Sequence, residues 1–192
     1  MSVPGTEQSM TQGDDVVAFL QAQHREVEQL FSQLSGGGEA RREPFQCLVQ
    51  LLAAHETAEE EVVYPALRST GADGERIAEE RTAEEDQAKK ALSELEKTDV
   101  TGDDFNERLE AFRRMVLEHA GNEEREVFPR LRQSLDPDKL RSMRTAVEAA
   151  ERMAPTHPHP HAPESAVGNL LAGPFVAIAD KVRDALRGVT KR

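Results

Sequence analysis

The chain writes one phrase twice. "HETAEEEVVYP" runs from His55 to Pro65, and "HAGNEEREVFP" runs from His119 to Pro129, sixty-four positions further on. Each has a histidine, a glutamate four residues later, then an aromatic residue and a proline at matching offsets. Residues four apart share one face of a helix, roughly 5–6 Å between Cβ atoms. A helical reading therefore aims two histidine–carboxylate pairs, His55 with Glu59 and His119 with Glu123, each from its own helix.

The surrounding text is helical. Apolar residues recur in alternating steps of three and four, and nothing alternates with period two, so the chain reads as all-α. The first stripe is Val17, Leu20, His24, Val27, Phe31, Leu34, on a helix capped by Asp14 or Asp15 and ended by "SGGG" at 35–38. The second is Leu48, Leu52, His55, Glu59, Val62, Ala66, with Pro44 in the first turn and a bend expected at Pro65. The third is Ala78, Arg81, Glu85, Ala88, Leu92, Leu95, on a helix from about 75 to 97. The fourth is Phe105, Leu109, Phe112, Val116, His119, Glu123, on a helix capped by Asp103 or Asp104 and reaching about Arg132. Four such stripes facing inward define a four-helix bundle. "DPDK" at 136–139 starts a fifth helix running to about Met153. The domain plan is a polar lead over 1–13, a bundle over 14–153 with its core four helices in 14–132, a Pro- and His-rich linker over 154–173, and a short amphipathic helix over 174–192.

Each stripe carries an ionisable residue where packing asks for an apolar one. Burying an unpaired carboxylate or imidazolium costs several kcal/mol, on the order of the stability of a whole domain. Mutual pairing of acids and imidazoles is one remedy. A metal compensates better, because it displaces the histidine protons and balances the carboxylates together. His24, His55, Glu59, Glu85, His119 and Glu123 are the candidate ligands. Six are too many for one tetrahedral zinc and suit two metals sharing carboxylates. Nitrogen and carboxylate donors without thiolate favour iron, with manganese possible.

This order of ligands, with the "EE…YP" and "EE…FP" tails, resembles the hemerythrin family in its bacterial HHE cation-binding form, over about residues 14–132. The resemblance implies an antiparallel up-down bundle around a non-haem di-iron centre. By it, Glu59 and Glu123 bridge the irons, and His24, His55, His119 and a third-helix residue are terminal ligands. The family usually places a histidine on that third helix. This chain has none between His55 and His119. Glu85 takes the place instead, because Ala88, Leu92 and Leu95 follow it at the offsets by which Val27, Phe31 and Leu34 follow His24. Glu84 is the alternative if the register slips by one. Glu56 and Tyr64 are two further donors, although nine residues past His55 Tyr64 falls on the far side of an ideal helix.

The carboxylate-rich set favours ferric iron, and so redox chemistry or sensing over reversible oxygen carriage. The resemblance implies a small partner: dioxygen, peroxide or nitric oxide, with catalase-like or nitric-oxide-consuming activity as the enzymatic form. An iron- or oxygen-sensing or storage module without turnover is the rival, and a bundle with a vestigial site is the second. No catalytic residue beyond the ligands stands out. The 36 acidic and 24 basic side chains give a formal charge of −12, which argues against non-specific nucleic-acid binding. No apolar run of membrane length and no secretory leader stand out, and Cys47 is the single cysteine, so a cytoplasmic monomer or homodimer is expected. Cys47, inside "FQCLVQLL", reads as a small buried residue.

Overall fold

The computed structural model describes residues 14–154; the expected lead over 1–13, the linker with His157, His159 and His161, and the helix at 174–192 lie outside the described residues. Among the described residues every regular element is helical.

Asp15 opens α1 (Val16–Leu34) by accepting the Ala18 N–H at 2.8 Å, which leaves Asp14 outside the cap. A 3-10 turn, Glu39–Arg41, leads into α2 (Arg42–Ala58). A π-helical turn, Glu59–Val63, then passes the chain to α3 (Tyr64–Arg68). Gly71, at φ 108, starts α4 (Ala72–Leu95) with a backbone that other residues rarely adopt. α5 (Asp103–Asn122) begins after Gly102, so neither Asp103 nor Asp104 is its cap. A second π turn, Glu123–Val127, leads to α6 (Phe128–Ser134). Asp136 caps α7 (Pro137–Met153) through the Lys139 N–H at 2.8 Å, as "DPDK" suggested.

The two π turns have one cause. Pro65 and Pro129 lie in the first turn of α3 and α6. In a continuous α-helix a proline ring collides with the carbonyl four residues back. The wider turn relieves that collision, and the N–H groups of Tyr64 and Phe128 reach five residues back to the carbonyls of Glu59 and Glu123. The expected bend at Pro65 is thus a π turn before the proline. It also moves the stripe by one residue: Val63 and Leu67 are fully buried, whereas the expected Val62 and Ala66 are half-buried.

α1 packs on α2, α4 packs on α5 and the second π turn, and α3 packs on α4 and α6, giving the up-down four-helix bundle. α7 lies across α1, α2 and the first π turn. The apolar core is in two parts. One, around Leu20, Val63, Leu67, Ile77, Phe128 and Leu131, includes Leu140, Met143 and Val147 of α7. The other, around Phe31, Leu48, Leu92, Phe105 and Phe112, fills the opposite end. Between them every one of the four bundle helices contributes buried polar residues: His24, then His55, Glu56 and Glu59, then Arg81 and Glu85, then His119 and Glu123. Cys47 departs from expectation. It is exposed, because Phe45, Leu48, Val49 and Leu52 take the inward face of α2 and leave position 47 on the outer one.

Candidate metal centre

All six expected ligands meet in this layer. His24, His55, Glu59 and Glu123 each offer one ligand atom within 4.8 Å of the others, and Glu59, Glu85 and His119 form a second such group. Glu59 belongs to both. Glu123 Oε2 also spans the layer, 3.3 Å from His24 Nε2 and 3.7 Å from His119 Nε2. His55 Nε2 stands 3.3 Å from Glu59 Oε2.

The histidines are held from behind. His24 Nδ1 lies 3.0 Å from Glu124 Oε1, His55 Nδ1 2.8 Å from Gln23 Oε1, and His119 Nδ1 2.9 Å from Glu84 Oε2. Each facing atom is an oxygen acceptor, so each Nδ1 can donate to it and leave Nε2 free to ligate a cation at the centre. The Gln23 amide is itself oriented, since its Nε2 donates to Glu151 Oε1 of α7 at 2.6 Å. Phe128 stacks on the His24 ring with centroids 5.6 Å apart.

Glu85 is fully buried, whereas Glu84 is partly exposed and backs His119, also accepting from Asn122 at 2.8 Å and Arg81 at 2.7 Å. Of the two third-helix candidates, Glu85 therefore faces the centre. Tyr64 does not fall on the far side. The π turn rotates it into the core, where it is fully buried and its hydroxyl donates to Glu85 Oε1 and, at 3.1 Å, to Glu123 Oε1. Glu56 is buried but outside both ligand groups, and it lines the approach. Gln23 and Glu124 were missed: they adjoin His24 and Glu123 in sequence but sit off the stripe, and their role shows only once neighbouring helices are placed.

Several buried atoms of the layer have no aligned hydrogen bond: Nε2 of His24 and His119, both oxygens of Glu59 and Oε2 of Glu123; Oε2 of Glu85 has none either, but it faces Lys89 Nζ at 3.5 Å. Buried polar atoms left this way call for an explanation. The electrostatics agree. Burial, with Glu123 and Glu85 adjacent, holds the Glu59 carboxyl well above its usual range; burial does the same to Glu85, against the pull of Lys89. Burial, with Glu123 and Glu85 near, also raises the Tyr64 phenol. Burial, then the neighbouring His24, pushes His55 down to about 3. Burial lowers His24 and His119, but Glu123 with Glu124, and Glu123 with Glu84, outweigh it, so both end raised. Burial would raise Glu123, yet His119, His24 and His55 bring it to about 2. Without a cation the layer is thus a patchwork of shared protons, which a cation can displace while meeting the unpartnered atoms.

A cavity of about 110 Å³ reaches the three histidines, lined also by Glu56, Val27, Leu52, Ala88 and Val116. It has room for a few water-sized molecules. Glu85 is not part of its wall.

Fold and site together define a helical-bundle protein whose core is arranged to take cations on histidine and carboxylate donors. A family model described as the hemerythrin HHE cation binding domain matches residues 15–131. The chain belongs to that hemerythrin family. It is 30% identical over 136 residues to an uncharacterised hemerythrin-like protein of Schizosaccharomyces pombe, covering 70% of this chain and 67% of the relative. It is 27% identical over 150 residues to a DNA nickase of Nostoc, covering 74% of this chain but only 42% of that longer protein. The crystal structure of a hemerythrin HHE cation binding domain-containing protein from Mycobacterium kansasii superposes with a TM-score of 0.64 at 22% identity, over 72% of this chain and 85% of that one, which shows a shared fold. No helix among the described residues is long and apolar enough to cross a membrane.

Proposed function

We propose that the layer holds two iron ions and handles a small oxidant, with dioxygen, peroxide or nitric oxide entering by the cavity. The observation that carries this is the pair of ligand groups sharing Glu59: His24, His55, Glu59 and Glu123 on one side, and Glu59, Glu85 and His119 on the other. Nitrogen and oxygen donors without sulfur fit iron, and manganese next. What a bound iron pair supplies is exchangeable electrons and open coordination for the small ligand. The chain's own residues do the rest. Glu124, Gln23 and Glu84 fix the imidazoles, Tyr64 orients Glu85 and Glu123, and the apolar wall of the cavity limits what enters.

A sensing module is the second reading, favoured by the contact that runs from His55 through Gln23 to Glu151 on α7. The net charge of −12 supports a small-molecule partner over nucleic acid, so the name of the Nostoc relative is not carried over. The test is iron per chain after anaerobic ferrous loading and exposure to air, followed by peroxide turnover. About two irons per wild-type chain, reduced in Glu85→Ala and His119→Ala, is the expected result. Repeated turnover selects the enzyme and a single reaction the sensor. A wild-type chain that binds no iron would leave a vestigial, proton-paired layer.

A further inference from the structure

Glu85 divides its two oxygens. Oε1 accepts from the Tyr64 hydroxyl and lies 3.8 Å from His119 Nε2. Oε2 faces the ammonium of Lys89, one turn further along α4, at 3.5 Å. Lys89 is largely buried, its side chain only 14% exposed, and it also binds the Glu60 carboxylate of the first π turn. A lysine is seldom held this deep unless paired. Its surroundings explain the need. The layer gathers the carboxyl groups of Glu56, Glu59, Glu85 and Glu123 around three imidazoles that are neutral when they ligate a metal. Two divalent cations offset all four of these negative charges, and the Glu60 carboxylate beside Lys89 adds a fifth; electrons leave such a site more easily with each anionic group added, and less easily with each fixed cation beside it.

From this we propose that Lys89 is a positioning residue for the metal centre. It draws Oε2 of Glu85 to the α4 side, turns the Oε1 edge toward His119 and Glu59, and offsets the charge that this third carboxylate adds to the ligand set. The inference rests on the di-iron reading above, and Lys89 itself touches neither metal nor substrate. It also gives α4 a sequence logic. Glu85 and Lys89 stand four apart, glutamate first, which is the favourable order for a helical pair.

The test uses the full chain loaded anaerobically with ferrous iron and titrated with redox mediators. In Lys89→Met the ferric-to-ferrous ratio at a fixed solution potential should rise about tenfold or more, a lowering of about 59 mV or more per electron. Lys89→Arg should hold the wild-type ratio. In a Glu85→His background, where the ligand is a neutral imidazole, Lys89→Met should move the ratio only a few-fold. An unchanged ratio in iron-loaded Lys89→Met overturns the proposal. So does an equal shift with and without Glu85, since Lys89 would then act as a remote charge. If Lys89→Met does not fold, Glu60→Gln/Glu85→His/Lys89→Met, which removes the ammonium and both of its carboxylate partners, must fold and bind iron, and its failure to do so also overturns the proposal. A wild-type chain that takes no iron removes the di-iron reading and this inference together, whereas normal loading with an indifferent Lys89 removes this inference alone.

Discussion

Glu59 should destabilise the metal-free protein and be indispensable to the loaded one, so Glu59→Gln should have opposite effects in the two states. Both Glu59 oxygens are buried and neither has an aligned hydrogen-bond partner. Held well above its usual range, the Glu59 carboxyl must at pH 7 take up a proton to escape an uncompensated buried charge, which costs about 3–5 kcal/mol, whereas an unsatisfied neutral amide costs about 1–3 kcal/mol. The isosteric exchange leaves no cavity, so the metal-free variant should gain on the order of 2 kcal/mol. For a chain of this size that is a rise in Tm of about 4–8 °C. With free metal at 100 times the wild-type Kd, wild type should gain about 2.7 kcal/mol. Loss of the shared ligand should weaken binding about 100-fold, which leaves the variant a gain of about 0.4 kcal/mol under the same conditions. Thermal unfolding followed by circular dichroism at pH 7, once with chelator and once with anaerobic ferrous iron, reads both numbers. A variant less stable than wild type in chelator would refute the reasoning, because Glu59 would then have partners that stabilise it. An undiminished metal shift would show that Glu59 is not a ligand.

Other residues give further tests. Glu56 is raised to about 7 by burial, against Lys89 and His119, so the folded chain keeps a proton that the unfolded chain loses above about 4.5. Its contribution is full below pH 4.5 and is lost as pH rises through 7; relative to Glu56→Gln, metal-free wild type should lose on the order of 3 kcal/mol across that window, and parallel stability–pH curves would contradict this. Gln23→Leu frees His55 Nδ1 and should weaken metal binding about 10- to 100-fold, measured by chelator competition; unchanged affinity would mean the ring is held by packing alone. Tyr64→Phe removes a donor shared by Glu85 and Glu123 and should cost the metal-free protein about 2 kcal/mol in urea unfolding, whereas a neutral result would show that the two carboxyls re-pair without it.

The stripes through His24, Glu85 and His119 could be read directly, because a heptad-like pattern assigns each helix a buried face before any neighbour is known. All six residues of the third stripe, Arg81 and Glu85 included, are buried as the spacing required. The reading failed where geometry departs from 3.6 residues per turn. An ideal helix puts Tyr64 on the far side from His55; the π turn does not, and its signal was in view as a proline behind each "EE" phrase. It failed again for Cys47, where an apolar neighbourhood was mistaken for an apolar face. Gln23 and Glu124 could not be read at all, since the partners of Gln23 come from α2 and α7 and that of Glu124 from the stagger of α1 against the second π turn.

The polar layer also has a mechanical consequence. It interrupts the apolar contacts between the two ends of the bundle, so the helix backbones and the polar pairs of the layer are what couple them when no cation is present. Cooperative units of opening follow continuous packing, and a core cut across the middle favours two such units over one. The end that holds α7 and the end that holds Phe45 and Phe105 would then exchange their amide hydrogens at separate rates. A cation that takes donors from all four helices at the cut would fasten the halves, raise the protection of both to a common value, and make the metal the element through which the domain unfolds as a single body.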